Sequence, residues 1–310
     1  MEFNQIPVEV YLSYILPHVI KTPMKLLDWI DINELEWSSL SANPNAIELL
    51  KQNKKKIDWN NLSRNPGAID LLKQYKKKIN WNMLSGNTSA IELIKSAIIK
   101  NPSVINWTLL SENSSDGAIE LLKANPDKIN WENFSSNTNP EAIKLITERL
   151  KSNPLLYDID WYNISENSSA IELIKSTIIS HPELIEWNGI LGNPNAMDLI
   201  TKYLITNSDR INWRNLSGNP NDDTIDWGQL SKNPNAIKLL QSIITSHPDE
   251  NEIEWDLVSL NPSAIELLME NPDKIYWCNL SENPSIFEID YKKWDELMIE
   301  YYECNIMNVI

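Results

Sequence analysis

Ile57-Asp58-Trp59-Asn60-Asn61-Leu62-Ser63-Arg64-Asn65-Pro66-Gly67-Ala68-Ile69-Asp70-Leu71-Leu72 decides the fold, because its pattern returns as Ile79-Asn80-Trp81-Asn82-Met83-Leu84-Ser85-Gly86-Asn87. Further copies centre on Trp37, Trp107, Trp131, Trp161, Trp187, Trp213, Trp227, Trp255 and Trp277, and an Asn stands six residues after each of these Trp. Self-similarity at this period marks an array of stacked units, each packing on its neighbours.

Within one unit, Asp58 suits an N-cap, with Ile57 and Leu62 placed as a hydrophobic staple, so a short helix starts at each Trp. Asn65-Pro66 then caps and opens a second helix, whose Ala68, Ile69, Leu71 and Leu72 form an apolar stripe at helical spacing. Longer units add residues inside this second helix in steps of about one turn, a growth rule that suits helices and not strands. The rival leucine-rich reading fails, because the positions equivalent to Asn60 and Gly67 are polar or small where that fold needs apolar residues.

The expected fold is therefore all-α: an α-solenoid of about eleven short two-helix repeats, with capping helices at both ends. The expected divisions are an N-terminal cap (1–34), the array (35–219), its continuation after a truncated repeat (220–284) and a C-terminal cap (285–310). The truncation is read from Asn219 to Trp227, where the second helix is missing. Ten or so units at helix-packing distance predict a rod or arc on the order of 100 Å long, with no sheet. Trp59, Trp81, Trp107, Trp161 and Trp213 are expected to be buried between units. Asn43, Asn65, Asn193, Asn233 and Asn261 are expected to cap the second helices, each contributing about 1 kcal/mol.

The phrase Asn-Pro-x-Ala-Ile-x-Leu-Leu followed by Lys-Ile-Asn/Asp-Trp-x-x-Leu-Ser resembles a tandem-repeat family encoded by giant DNA viruses of amoebae. The flanks Lys25-Leu26-Leu27-Asp28-Trp29-Ile30 and Asn283 to Tyr291 resemble that family as well, so the resemblance runs from Lys25 to Tyr291. It implies a viral protein in the cytoplasm of an infected host cell or in the virion, and it implies no activity.

Composition narrows the function classes. The chain carries 27 Lys/Arg against 43 Asp/Glu, a net charge of −16. Counterion release rewards basic surfaces, so neither nucleic acid nor an anionic membrane is an expected partner. The two cysteines, Cys278 and Cys304, form no disulfide framework, and Met1-Glu2-Phe3-Asn4 opens without signal-peptide character; a cytoplasmic location is expected. No catalytic motif, metal-ligand spacing or phosphate loop is present, so no enzyme, metal or cofactor is expected. His181-Pro182 and His247-Pro248 read as variants of the Asn-Pro loops.

What remains is a protein-interaction scaffold. The candidate binding residues are Lys54, Lys55, Lys56, Lys76, Lys77 and Lys78, two triplets in equivalent loops of adjacent repeats. They suit a partner protein with an acidic surface, and their alternative reading is a solvated ridge. Two other functional readings are a substrate adaptor, from a weak F-box-like resemblance of Ile6-Pro7-Val8-Glu9-Val10 to Ile15-Leu16, and a structural component of a virus particle.

Overall fold

The computed structural model describes residues 22–152, 158–200, 226–246 and 253–306. The chain builds the expected array of helix pairs. Each unit opens with a Trp-led helix such as Trp59–Arg64, turns at Asn-Pro through a short 3-10 segment (Pro66–Ala68), and returns along an Asn-led helix (Ile69–Gln74). Ten Trp-led helices are described, beginning at Trp37, Trp59, Trp81, Trp107, Trp131, Trp161, Trp187, Trp227, Trp255 and Trp277. The N-terminal helix expected over Pro7–Ile20, the F-box-like stretch, Trp213 and the truncation between Asn219 and Ile225 lie outside the described residues.

The core of each unit consists of its Leu, Ala and second-helix apolar positions. Leu40, Leu62, Leu84, Leu110, Ala46, Ala68, Leu50 and Leu72 have no accessible surface. The tryptophans differ from expectation. They pack against this core but remain half-buried, because each stands at the first turn of its helix while the residue three positions later fills the middle of the joint.

Polar residues share the fully buried layer. In all ten described units the Oδ1 of the Asn at Trp+6 accepts from the N–H two residues on, so it caps the turn that opens the second arm as expected, although in the Trp107 and Trp131 units the helix itself starts later and is capped by Ser115 and Asn139. The Nδ2 of the Trp+6 Asn does something the sequence did not announce. In the typical joint it donates to two main-chain carbonyls of the preceding unit, as Asn65 does to Ser41 O (2.9 Å) and Asn43 O (2.8 Å). Asn87, Asn113, Asn137, Asn167 and Asn193 repeat the pair of bonds. The buried Ser at Trp+4 makes a second rail. Ser41 Oγ donates to Trp37 O in its own helix and accepts from Asp58 N–H of the next unit. The small residue at Trp+8 completes the joint: a Cβ on Gly67 would lie 2.6 Å from Pro44 O, and Asn195 Nδ2 donates to Ser168 O.

Followed round the molecule, the rails form a cycle. Asn233 donates to Leu191 O and Asn193 O, so the ladder passes directly from the Trp187 unit to the Trp227 unit. Asn261 continues it to Ser231 O, and Asn283 to Ser259 O and Asn261 O. Asn43 of the first unit then donates to Ser281 O (3.1 Å) and Asn283 O (2.9 Å) of the last, and Glu36 N–H donates to Ser281 Oγ (2.8 Å). The arc expected from sequence thus closes on itself as a ring. At about 8–10 Å between neighbouring helices, ten of them close on a circle of about 13–16 Å radius at their axes.

The ends consequently face each other rather than water. β1 (Met24–Leu26) pairs antiparallel with β2 (Phe287–Ile289), Lys25 opposite Glu288, a small sheet where the sequence reading expected none. Leu27 N–H donates to Ile286 O and Asp290 N–H to Pro23 O, each at 2.9 Å. Lys25 Nζ reaches Glu288 at 2.9 Å and Asp28 at 3.4 Å, and hydrogen bonds to these carboxylates, Glu288 first, raise its pKa. That contribution is present below the ordinary lysine range and is lost as pH rises through the raised folded value. The C-terminal helix Tyr291–Ile306 follows β2.

Two measurements test this architecture. Replacing Asn137 with Ala leaves the buried Asn139 N–H, Ser111 O and Asn113 O each short of a bond, so denaturant unfolding should show a loss of about 2–4 kcal/mol, above the 1 kcal/mol of a cap alone. Asn137→Asp should cost more, since a carboxylate presents acceptors to acceptors. Closure has its own test, because Ser39 Oγ lies 3.3 Å from Cys278 Sγ across the closing joint. In a Cys304→Ser background, Ser39→Cys should form a disulfide with Cys278 on mild oxidation, detected by peptide mass mapping. Two persistently free thiols in the folded protein would refute a closed ring.

Candidate interaction surfaces

The two lysine triplets form matching 3-10 turns, Lys54–Lys56 and Lys76–Lys78, where each Asn-led helix ends and the chain returns to the next Trp. All six side chains are exposed. The stack places the two turns in neighbouring units, together with aromatic rings. Lys56 Nζ sits 4.3 Å from the centroid of the Trp37 ring of the preceding unit, and Lys54 Nζ lies 5.8 Å from the Tyr75 ring. Tyr75 in turn packs on Trp59 at 5.3 Å. Cation–π attraction at such exposed sites is worth about 0.5–1 kcal/mol, enough to orient Lys56 over its ring. Among the described residues, none of the six lysines forms an ion pair.

A second surface follows from closure. The Trp-led helices of successive units pack directly on one another at eight of the ten described joints, while the outer Asn-led helices are bridged by long side chains such as Lys123 to Glu141 (3.0 Å). Lys144 and then Lys123 hydrogen-bond to Glu141 and hold its carboxyl below the usual range. The Trp-led helices are thus the inner ring, and their Trp+1, Trp+2 and Trp+5 positions face the centre. Side chains two units apart meet over the unit between, which a concave face alone permits. Arg64 bonds to Glu282 across the Trp37 unit, where Ala42 stands, and Gln229 bonds to Tyr162 across the Trp187 unit, where Gly189 and Gly192 stand.

Charges at these inner positions are Arg64 and Lys232 against Glu112, Glu132, Glu166, Asp256 and Glu282. Several inner amides brace neighbouring units: Asn61 Nδ2 donates to Ser38 O, Asn163 to Glu132 O and Asn279 to Asp256 O. Tyr162 has its phenol pKa raised, by burial first and then by the charges of Glu166 and Asp226.

The sequence reading missed this inner surface. Its signal was the placement of scarce glycines: of seven in the chain, Gly189, Gly192 and Gly228 fall on two Trp-led helices that adjoin in the ladder. His181, read as a loop variant, closes the helix Ile171–Ser180 and lies 3.2 Å from Glu183. His18 and His247 lie outside the described residues. Among the described residues no group of three or more His, Cys, Asp or Glu is placed to hold a metal ion, and no helix is long and apolar enough to cross a membrane.

Comparison of the chain with protein-family models, curated proteins and solved structures finds no match in any of the three.

Proposed function

We propose that this ring is a non-catalytic scaffold that binds a protein partner with an acidic surface through its lysine edge. The observation that carries this reading is the pair of exposed Lys54–Lys56 and Lys76–Lys78 turns, side by side and without ion pairs among the described residues, on a chain of net charge −16. The half-buried rings of Trp37, Trp59 and Tyr75 beside them supply apolar anchoring, which basic residues alone would lack. Residues common to every unit are committed to the joints between units. Discrimination among partners then falls to positions that vary, and the triplets are the most distinctive of these.

A polyglutamate peptide is a direct probe. At low salt it should bind the natural chain, and binding should weaken as salt screens the attraction. Changing all six lysines to Glu should leave the melting temperature nearly unchanged, since exposed charges contribute little to stability, and should abolish peptide binding. Equal affinity for the natural and reversed chains at low salt would leave the lysines as a solvated ridge.

A further inference from the structure

The C-terminal helix Tyr291–Ile306 carries an apolar stripe that the ring does not use. Trp294, Leu297 and Met298 fall at i, i+3 and i+4 and share one face, while Lys292, Lys293 and Glu296 stand exposed away from it. The three apolar residues are half-buried, yet among the described residues they take no part in the apolar cluster that joins the units. In water a lone helix of about four turns is marginal, and most helical stability in proteins comes from packing an apolar face. This stripe therefore calls for a cover.

The closing sheet fixes where the helix begins. Asp290 N–H donates to Pro23 O (2.9 Å), while Asp290 Oδ1 accepts from Lys293 N–H (3.1 Å) and Asp290 O accepts from Trp294 N–H (2.8 Å). The first turn is thus held one hydrogen bond from Pro23, where the chain enters β1. Residues 7–20 precede that point and lie outside the described residues. Their sequence is apolar, with Glu9 the one residue charged at neutral pH. Val8, Leu12 and Ile15 recur at helical spacing, and Pro7 and Pro17 stand where a helix would start and stop. A helix over Pro7–Leu16 is about 15 Å long against about 24 Å for Tyr291–Ile306. The stretch 17–21 reaches about 17 Å when extended, enough to fold the segment back along its neighbour.

We propose that residues 7–16 dock as a helix on the Trp294, Leu297 and Met298 stripe, so that the two ends of the chain clasp each other beside the closing joint. The tether favours this occupant over a second copy. A segment linked so closely has an effective concentration on the order of millimolar, above that of a second molecule in ordinary solution. The clasp is separate from the lysine edge and does not depend on it.

Hydrogen exchange of the full chain, read by mass spectrometry on peptides from Tyr291–Ile306, tests the clasp. Exchange there should be slow in the natural chain. Val8→Asp, Leu12→Asp and Ile15→Asp combined should speed it by about tenfold or more and leave the ring helix Trp59–Arg64 unchanged. Should that variant fail to fold, Leu12→Ser takes its place, with a smaller change in the same direction. The converse variant, Leu297→Asp, should release the other partner, so that chymotrypsin cuts faster at Tyr11 and Tyr14. Unchanged exchange in the triple variant, or fast exchange in the natural chain, overturns the proposal. So does protection of the helix that rises with protein concentration alongside a dimer in light scattering, which would make a second copy the cover.

Discussion

The structure depends on one side-chain amide per unit. The Asn at Trp+6 accepts one hydrogen bond from its own helix start and donates its two amide hydrogens to carbonyls of the preceding unit in the typical joint. Asn and Gln alone carry an acceptor and two donors on one planar group, and the shorter Asn also sets the non-helical turn of an N-cap. Asp would lose both donors, and Ser would supply one. The residue is buried in every described unit, so each of these bonds is made out of water, where an unmade bond is costly. Capping and stacking are thereby coupled: the turn that starts the second helix is the group that holds the next unit in register.

Closure follows from repeating that joint until the ends meet. A linear array leaves two apolar end faces that capping units must shield, whereas a ring buries each against the other. The closing joint uses the same Asn43 and Ser281 bonds as the internal ones and adds the β1–β2 pair, which joins segments lacking the covalent connection that other neighbours have. The rails are weakest at two joints short of the closing one, between the Trp187 and Trp255 units. Leu191 replaces the rail Ser at the Trp187–Trp227 joint, and Ser231 Oγ has no partner at the next. The same arc carries Gly189, Gly192 and Gly228 and the unpaired oxygens of Asn188 and Gln229.

This division of labour bears on function. Leu, Ser, Asn and Ala of the repeated phrase are buried and committed to the joints. Positions free to vary lie on three surfaces: the lysine edge, the outer helices and the inner face. Proximity on these surfaces comes from stacking. Lys56 meets Trp37 of the preceding unit, and Gln229 meets Tyr162 two units away, although 67 residues separate the latter pair in sequence.

The sequence by itself determined the units. The Ile-x-Trp grouping, the Asn-Pro start and the apolar stripe are local signals, and local hydrogen bonds and helix periodicity are enough to convert them into paired helices. The six lysines and their equivalent loops were legible for the same reason. Tertiary structure alone decided what each unit's polar residues do to the next. The acceptor of Asn65 lies 22 to 24 residues away, and that of Asn43 about 240, and nothing in a repeated phrase states the curvature that brings them together. Curvature arises from the difference in spacing between inner and outer helices, which is a packing quantity. It turned an expected arc into a ring, left the tryptophans half-buried, and brought Glu166, Gly192 and Gln229 from three units into one contact.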